Sequence, residues 1–320
     1  MLYHLMILTE RPAVKLLIIN NLASGLGDGS IYDFIRSFTQ DGDQVTVRST
    51  DGTSDLRSFL ADARNFDLVV ASGGDGTIAA VCYELAGSGI PVLPFPAGTA
   101  NLLALNVSSP IEAHALAKLA REGRQLDFDL GEINVNGDRY GFAIMAGAGY
   151  DATIMEAAKP HKQVLGPLAY FSAAATNITP QMSHFTITVD GQTFECDGLC
   201  VLLVNFSKIQ FDLSVTHENQ PRDGMLDIVV LKGRNAVELL PAIGAAMLDR
   251  GGDFPYRSNV MEVHRGRECA IVADPPLNIQ YDGEVTGRMT PFTARVLPGV
   301  AKLVVSDQGY ETFEPTEPKQ

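Results

Sequence analysis

Basic residues are scarce in this sequence of 320 residues. It contains 24 lysines and arginines against 38 aspartates and glutamates, and its formal net charge is −14. A nucleic-acid partner needs a basic surface that replaces the counterions of the phosphate backbone, so we exclude nucleic acid as a partner. A local basic patch is still possible in one stretch, although a solvated face of mixed charge is the favoured interpretation. The basic residues of this stretch are Lys232, Arg234, Arg250, Arg257, Arg265 and Arg267.

Cysteines and long apolar runs are also few. None of the four cysteines lies in a Cys-x-x-Cys pair, which is typical of reduced, mostly buried thiols in a cytosolic protein. No apolar run approaches the roughly 20 residues that span a bilayer. The stretch from Met1 to Leu8 has neither a basic region nor a small-residue cleavage site. We therefore expect a cytoplasmic protein.

A glycine-rich turn follows an apolar run in the first third of the chain. Leu68-Val69-Val70 leads into Ala71-Ser72-Gly73-Gly74-Asp75-Gly76-Thr77, and the next residues can open a helix. Such a turn can cradle phosphate, because glycines let the backbone approach and a helix N-terminus favours negative charge. The carboxylate of Asp75 beside a polyphosphate indicates a bridging Mg²⁺ ion. The turn therefore predicts a nucleotide-dependent phosphotransferase.

The pattern of the chain changes near residue 125. Before that point buried strands alternate with helices, which predicts a doubly wound parallel sheet with ligands at the strand C-termini. One of these helices is expected to start at Ser109-Pro110-Ile111-Glu112. Later strands are joined by turns such as Asn136-Gly137 and Asp190-Gly191, which predicts a β-rich, sandwich-like domain. Two of its strands are expected at 292–297 and 303–306.

These patterns predict two domains and a short tail. An α/β nucleotide domain is expected over 1–125 and a β-rich substrate domain over 126–300. A final strand near 302–310 is a candidate to rejoin the first domain, and residues 311–320 are expected to form a frayed tail.

Several motifs stand in the order and at the intervals of one enzyme family. They are Gly73-Gly74-Asp75-Gly76-Thr77, Pro96-Ala97-Gly98-Thr99-Ala100-Asn101, Leu126-Asp127-Phe128-Asp129-Leu130-Gly131, Gly147-Ala148-Gly149-Tyr150-Asp151, Asp223-Gly224-Met225-Leu226-Asp227 and Asp282-Gly283-Glu284. In these motifs the chain resembles the diacylglycerol kinase catalytic-domain family, specifically the soluble bacterial lipid kinases related to sphingosine and ceramide kinases. NAD kinases share the first motif and are more distant.

The resemblance implies a nucleotide domain, a β-sandwich and an active site in the cleft between them. Residues 73–77 would hold the ATP phosphates and Mg²⁺, as would Asn21, Ser24 and Gly25 of the first glycine-rich loop. Three residues would line the nucleotide pocket: Gly98, Thr99 and Asn101. By the same resemblance Asp282 and Glu284 would face the substrate hydroxyl. Asp223, with the backbone of Met225, would form a structural Mg²⁺ site.

The residues around Asp282 favour a general base on their own terms. Leu277, Ile279 and Tyr281 share one face of a strand, so Asp282 is expected on the opposite, polar face. Phosphoryl transfer needs a carboxylate that accepts the proton of the alcohol, and Glu284 would support it or bind nucleotide. An ordinary Asp-Gly hairpin is the alternative for this motif, as a plain loop turn is for Asp223.

The first loop departs from the family pattern. That pattern is Asn-Pro-x-Ser-Gly followed by lysine or arginine, whereas this chain has Asn21-Leu22-Ala23-Ser24-Gly25-Leu26-Gly27-Asp28. The basic residues that would touch phosphate are missing and an acid lies nearby. Either backbone N–H groups suffice, or ATP binds weakly.

The predicted function is an ATP- and Mg²⁺-dependent kinase of a lipid such as diacylglycerol. The alternatives are an NAD kinase and a catalytically weak nucleotide- or lipid-binding homologue. The apolar stretches 164–171 and 239–248 are candidates for an acyl pocket, with core packing as their more common role. A transient membrane contact during catalysis and a homodimer are left open.

Overall fold

The computed structural model describes residues 12–24, 29–149, 181–207, 220–232 and 261–314. In these ranges the strands form one sheet of 10 strands and one of 6. The fold is the predicted combination of a parallel-sheet N-terminal half and a β-sandwich C-terminal half. No helix in the described ranges is both long and apolar enough to cross a membrane.

The N-terminal half is a parallel sheet covered by helices on both faces. Its four strands lie in the order β2-β1-β3-β4, with bounds Lys15–Asn21 (β1), Gln44–Thr50 (β2), Leu68–Gly73 (β3) and Val92–Pro96 (β4). The helices are Ser30–Phe38 (α1), Leu56–Leu60 (α2), Asp75–Glu84 (α3), Leu102–Asn106 (α4) and Ala113–Glu122 (α5). Leu17 and Ile19 enter one hydrophobic cluster, and Leu16 and Ile18 enter another. Both faces of β1 are thus buried, which explains its continuous apolar sequence.

One long strand joins the two halves of the molecule. Strand β16, Phe292–Val305, pairs along its length with β5, Arg124–Val135. It also pairs in parallel with β4 and antiparallel with β13, Glu268–Asp274. The large sheet therefore runs from the parallel half into the sandwich.

The expectation of two separate strands at 292–297 and 303–306 is wrong. The pairing of β16 with β5 shifts register between Leu297 and Ala301, where Pro298 and Gly299 lie. Proline and glycine suggest a break in the sequence, but here they form an irregularity within one strand, as β-bulges do.

The second sheet has the strand order β12-β11-β10-β7-β14-β15. Its bounds are Met145–Gly149 (β7), Cys200–Val204 (β10), Leu226–Leu231 (β11), Met261–Gly266 (β12), Asn278–Tyr281 (β14) and Glu284–Met289 (β15). The large sheet is completed by Asp138–Phe142 (β6), Ser183–Val189 (β8) and Gln192–Gly198 (β9). A core that includes Phe142, Phe185 and Leu203 fills the space between the sheets, and Asp307–Phe313 forms α6.

The predicted start of α5 at Ser109 is also wrong. The helix begins at Ala113, and its N-cap residue Glu112 makes no side-chain cap bond. The backbone N–H of Ser109 instead donates to the carbonyl of Ala104 at 2.8 Å. The segment therefore ends α4, which precedes it, rather than beginning α5.

Candidate active site

The glycine-rich turn of residues 73–77 connects β3 to α3 as predicted. A Cβ atom at Gly73 would lie 2.6 Å from the Cβ of Thr77, so only glycine fits there. The first loop packs on this turn: the Asn21 amide donates to the Thr77 hydroxyl at 2.8 Å, and the Gly74 N–H donates to the Ser24 hydroxyl at 3.2 Å. The structure thus brings Asn21 and Ser24 to the turn, while Gly25 lies outside the described residues.

The loop 96–101 lies directly against the turn. A Cβ at Gly98 would lie 2.4 Å from the Cα of Gly74, so the two backbones touch. Asn101, in the left-handed region at φ 52°, closes the loop: its Oδ1 accepts the Gly98 N–H at 2.8 Å, and its amide donates to the Gly98 carbonyl at 3.0 Å. Asp75 Oδ1 accepts the N–H of Leu103 at 2.9 Å, which ties the turn to α4. Thr99 is exposed on this loop.

Asp282 and Gly283 form the two-residue turn between β14 and β15. Both have positive φ, 40° and 89°, as a hairpin turn of this length requires. The Asp-Gly hairpin and the candidate site are therefore the same feature. Leu277, Ile279 and Tyr281 contribute to one hydrophobic core, as predicted. The opposite side carries the polar residues Gln280 and Asp282, but they are buried, with exposed fractions of 1% and 8%.

The Asp282 carboxylate is held by the backbone of residues 143–145. Its Oδ2 accepts the N–H of Ala143 at 2.6 Å, and its Oδ1 accepts those of Ile144 and Met145 at 2.8 and 3.0 Å. The Asp282 N–H in turn donates to the Met145 carbonyl at 2.8 Å. Three of the roughly four acceptor positions of a carboxylate are thus used to fix its orientation.

The two predicted halves of the site meet. A Cβ at Gly76 would lie 3.5 Å from Glu284 Cγ and 3.9 Å from the Asp282 carbonyl oxygen. Burial raises the pKa of Asp282 to about 7, against the three N–H bonds that lower it, and the charge of Asp75 raises it further. Burial also raises the pKa of Cys82 on α3 to about 12, and the charge of Asp282 adds to that shift. The arrangement places a buried carboxyl group beside the glycine-rich turn of residues 73–77.

Sequence reasoning missed Asn205, which follows β10 and is fully buried. Its amide donates to the carbonyls of Asp129 and Ala143 at 2.8 and 2.7 Å. Since two carbonyls face the amide nitrogen, the side chain cannot be flipped, and its buried Oδ1 has no hydrogen-bond partner among the residues that the structure describes. Asn205 thus bonds to the carbonyl of Ala143, while the N–H groups of residues 143–145 bond to Asp282. The buried apolar strand before it gave no signal of this role.

Asp223 lies away from these turns, in the turn before β11. Its Oδ1 accepts the Met225 N–H at 2.9 Å, and its Oδ2 is bonded to the guanidinium of Arg265. The predicted Mg²⁺ site at Asp223 and Met225 stays a prediction. In the described ranges no group of three or more histidine, cysteine, aspartate or glutamate side chains is arranged to hold a metal.

Two of the basic residues considered for a surface patch are ion-paired. Lys232 pairs with Glu262 and Arg265 with Asp223, which agrees with a face of mixed charge. Arg234, Arg250 and Arg257 lie outside the described residues, as do the candidate acyl-pocket stretches 164–171 and 239–248.

Two family models match consecutive parts of the chain. Residues 15–133 match the diacylglycerol kinase catalytic domain. Residues 144–305 match the YegS C-terminal NAD kinase beta sandwich-like domain. The chain belongs to the YegS-like diacylglycerol kinase family. This membership agrees with the resemblance drawn from the sequence motifs.

Relatives of the family cover most of the chain. A probable lipid kinase YegS-like from Klebsiella pneumoniae is 28% identical over 90% of this chain and 94% of its own length. An uncharacterized protein from Synechocystis is 26% identical over 74% of this chain, and the match spans 54% of that longer protein.

Solved structures share the fold. A putative diacylglycerol kinase from Bacillus anthracis superposes with a TM-score of 0.73 at 21% identity, covering 93% of this chain and 99% of its own. An NAD kinase from Archaeoglobus fulgidus, solved in complex with ATP, superposes with a TM-score of 0.53 at 11% identity, covering 93% and 96% of the two chains. At these identities the likeness concerns the fold.

Proposed function

We propose that this protein is a lipid kinase that transfers the γ-phosphoryl group of ATP to the hydroxyl of a lipid such as diacylglycerol. The observation that carries the proposal is the closeness of Gly76 to the turn of Asp282 and Glu284, where an added Cβ would lie 3.5 Å from Glu284 Cγ. A glycine-rich turn that would bind phosphate and a buried carboxylate, far apart along the chain, lie next to each other. Positioning of this kind is the main requirement of phosphoryl transfer.

Mg²⁺ would supply positive charge beside the phosphates. The described loops of the site, residues 20–24, 73–77, 96–101 and 281–284, include no lysine, arginine or histidine, which favours a bound cation for neutralisation of polyphosphate. Asp75 and Glu284 would hold the ion, with phosphate oxygens completing its shell, since Mg²⁺ is commonly bound by one or two carboxylates plus substrate phosphates. When bound, the ion would neutralise charge that develops on the transferred group.

The chain's own residues would position nucleotide and acceptor. Backbone N–H groups of residues 73–77 would bind the phosphates, with Asn21, Ser24 and Gly25 beside them. The nucleotide pocket would be completed by Gly98, Thr99 and Asn101. Asp282, fixed by three N–H bonds, would accept the proton of the lipid hydroxyl at a carboxylate oxygen, and its pKa of about 7 suits that task.

The diacylglycerol kinase model and the name of the Klebsiella relative support a lipid acceptor. The ATP complex of the Archaeoglobus protein, which has this fold, supports ATP as donor. That protein is an NAD kinase, so NAD is the alternative phosphoryl acceptor to be tested beside the lipid. Cytoplasmic location, transient membrane contact and a homodimer remain predictions.

Labelled ATP distinguishes the candidate functions. The full chain would be incubated with Mg²⁺, γ-labelled ATP and either diacylglycerol in mixed micelles or NAD. We expect label in the organic phase only with diacylglycerol and only when Mg²⁺ is present, and we expect Asp75→Ala to abolish it. Label in NADP would replace this proposal by an NAD kinase. ATP binding without transfer to either acceptor would identify a non-catalytic homologue.

A further inference from the structure

The structural Mg²⁺ site implied at Asp223 does not fit the side chains that surround it. A metal ion there would require a free approach to the carboxylate of Asp223, with backbone carbonyl oxygens completing its shell. Asp223 Oδ1 accepts the Met225 N–H at 2.9 Å, and Asp223 Oδ2 is bonded to the guanidinium of Arg265. Oδ1 thus serves the backbone of the turn and Oδ2 faces a fixed positive charge, so a divalent cation bound at Asp223 would be repelled by the guanidinium of Arg265.

Arg265 is held in this position by the sheet. It lies on β12 directly opposite Asp227 of β11, and its Nε is 3.5 Å from Asp227 Oδ1. Asp227 is buried, with an exposed fraction of 5%. One guanidinium therefore faces two carboxylates, one of them buried, and a buried charge needs such a partner. The fixed fork of arginine suits this contact better than a single-point cation.

A third carboxylate beside the turn, Asp129, is bonded to the backbone through both of its oxygens. Asp129 accepts the N–H of Gly224 through Oδ2 and that of Gly299 through Oδ1, each at 2.7 Å. The bond to Gly224 fixes the residue next to Asp223, and the bond to Gly299 fixes the irregular part of β16. The turn is thus cross-linked to the large sheet by hydrogen bonds of the chain itself.

We propose that Arg265 takes the place of the divalent cation implied at the Asp223 turn, and that this turn is held without a metal. Arg265 of β12 supplies the positive charge, and the pairing of β12 with β11 fixes its position relative to Asp227. The dependence of the kinase on Mg²⁺ then reports on the nucleotide site alone. The inference itself does not require kinase activity, so it can be tested on protein without nucleotide.

Thermal unfolding of the nucleotide-free full chain tests the proposal. Wild type, Arg265→Met and Arg267→Met would each be unfolded in EDTA and in millimolar Mg²⁺. Arg267 is the matched control, because it is an exposed arginine two residues further along. We expect the Tm of wild type to be the same in EDTA and in Mg²⁺. We expect Arg265→Met to lower the Tm by about 2 °C relative to Arg267→Met.

A third variant, Asp223→Asn, identifies the source of any effect of Mg²⁺. The proposal is overturned if Mg²⁺ raises the Tm of wild type and Asp223→Asn abolishes that rise. A rise that survives Asp223→Asn comes from another site, and the difference between the two arginine variants then decides. Equal Tm values for Arg265→Met and Arg267→Met also overturn the proposal. Recovery of the Tm of Arg265→Met by Mg²⁺ supports it, because the ion then replaces the lost guanidinium.

Discussion

Asp282 combines two opposing influences on one carboxyl group. Burial raises its pKa to about 7, while the N–H groups of Ala143, Ile144 and Met145 favour the charged form. A carboxylate in a polar, solvated turn would need no such support. The backbone of residues 143–145 therefore keeps a buried acid within reach of ionisation near neutral pH.

Because of these bonds, Asp282→Asn is expected to destabilise the protein as well as to inactivate it. An asparagine Oδ1 can still accept two of the N–H bonds, but its amide then faces the Ala143 N–H, donor against donor. A buried donor without an acceptor costs about 1–3 kcal/mol of the free energy of unfolding. Urea unfolding of the two proteins measures this difference.

Asp190→Asn is the matched control for that measurement. Asp190 occupies the same position of an Asp-Gly hairpin, at φ 47°, and its Oδ1 accepts the N–H groups of Arg267 and Glu268 at 3.0 Å each. It is exposed, so water can replace a lost bond, and we expect a change within about 0.5 kcal/mol. Equal losses for the two variants would contradict the role given to residues 143–145.

The pKa of Asp282 also predicts how kinase activity depends on pH. Since the base acts without its proton, kcat/KM should rise with pH through about 7 and then level off. The contribution of this group to stability has the opposite sign. Its pKa in the folded protein lies above the ordinary aspartate value of 3.8, so the contribution is fully present below pH 3.8 and lost as pH rises through about 7. A kcat/KM profile that stays level across that pKa would exclude Asp282 as the base.

At the scale of elements, locally determined features were predictable from the sequence. The turns at 136–137, 190–191 and 282–283 all have two residues with positive φ, because Asn-Gly and Asp-Gly tolerate that conformation. The predicted element boundaries were wrong where a hydrogen bond to a distant or preceding residue sets the boundary. The Ser109 N–H closes α4 instead of opening α5, and the Gly299 N–H bonds to Asp129, which keeps β16 continuous.

Asn205 is predicted to be a positioning residue of the element that holds Asp282. Asn205→Leu leaves the carbonyls of Asp129 and Ala143 without their donor, which loosens residues 143–145. Since their N–H bonds lower the pKa of Asp282, the apparent pKa of the kcat/KM profile should move above about 7 and kcat should fall. The KM for ATP should stay unchanged, because Asn205 is bonded to residues 129, 143 and 144 and not to the turns proposed to bind phosphate.

Asn134→Leu provides the comparison for Asn205. The Asn134 side chain accepts one bond, from the Gly137 N–H at 2.9 Å in an exposed hairpin. Its loss is expected to lower stability slightly without moving the pH profile. If Asn205→Leu lowers stability while the apparent pKa stays at its wild-type value, Asn205 is structural and the positioning role is refuted.

At the scale of the whole molecule, the site depends on how the parallel half and the sandwich are joined. The glycine turn was predictable because it is local, whereas its neighbours come from distant parts of the chain. Gly76 meets Glu284, and Ala143 meets Asp282 and Asn205. No period or motif specifies such pairs, because they are set when β16 and β5 join the parallel half to the sandwich.

Tyr83 on α3 is predicted to fix the turn of residues 73–77 relative to the turn of Asp282 and Gly283. Its ring packs against Gly141 of β6, so closely that a Cβ added to Gly141 would lie 2.1 Å from the ring. Its hydroxyl donates to the Glu132 carboxylate of β5 at 2.5 Å. Glu132 is 6% exposed and also accepts from Arg295 at 2.8 Å. The helix that begins with Asp75 is thereby bonded to the strands that continue into the sandwich.

Tyr83→Phe should therefore lower both stability and kcat. The substitution removes the hydroxyl that donates a hydrogen bond to the buried Glu132 carboxylate, at a cost of about 1–3 kcal/mol in the free energy of unfolding. The fit of the ring against Gly141 is kept, so any fall in kcat measures the loss of the hydroxyl bond. Tyr32→Phe is the control, since Tyr32 is 60% exposed on α1. If Tyr83→Phe unfolds more easily than this control but keeps full kcat, α3 is held in place without the Glu132 bond, and the coupling between the two halves lies in β16 alone.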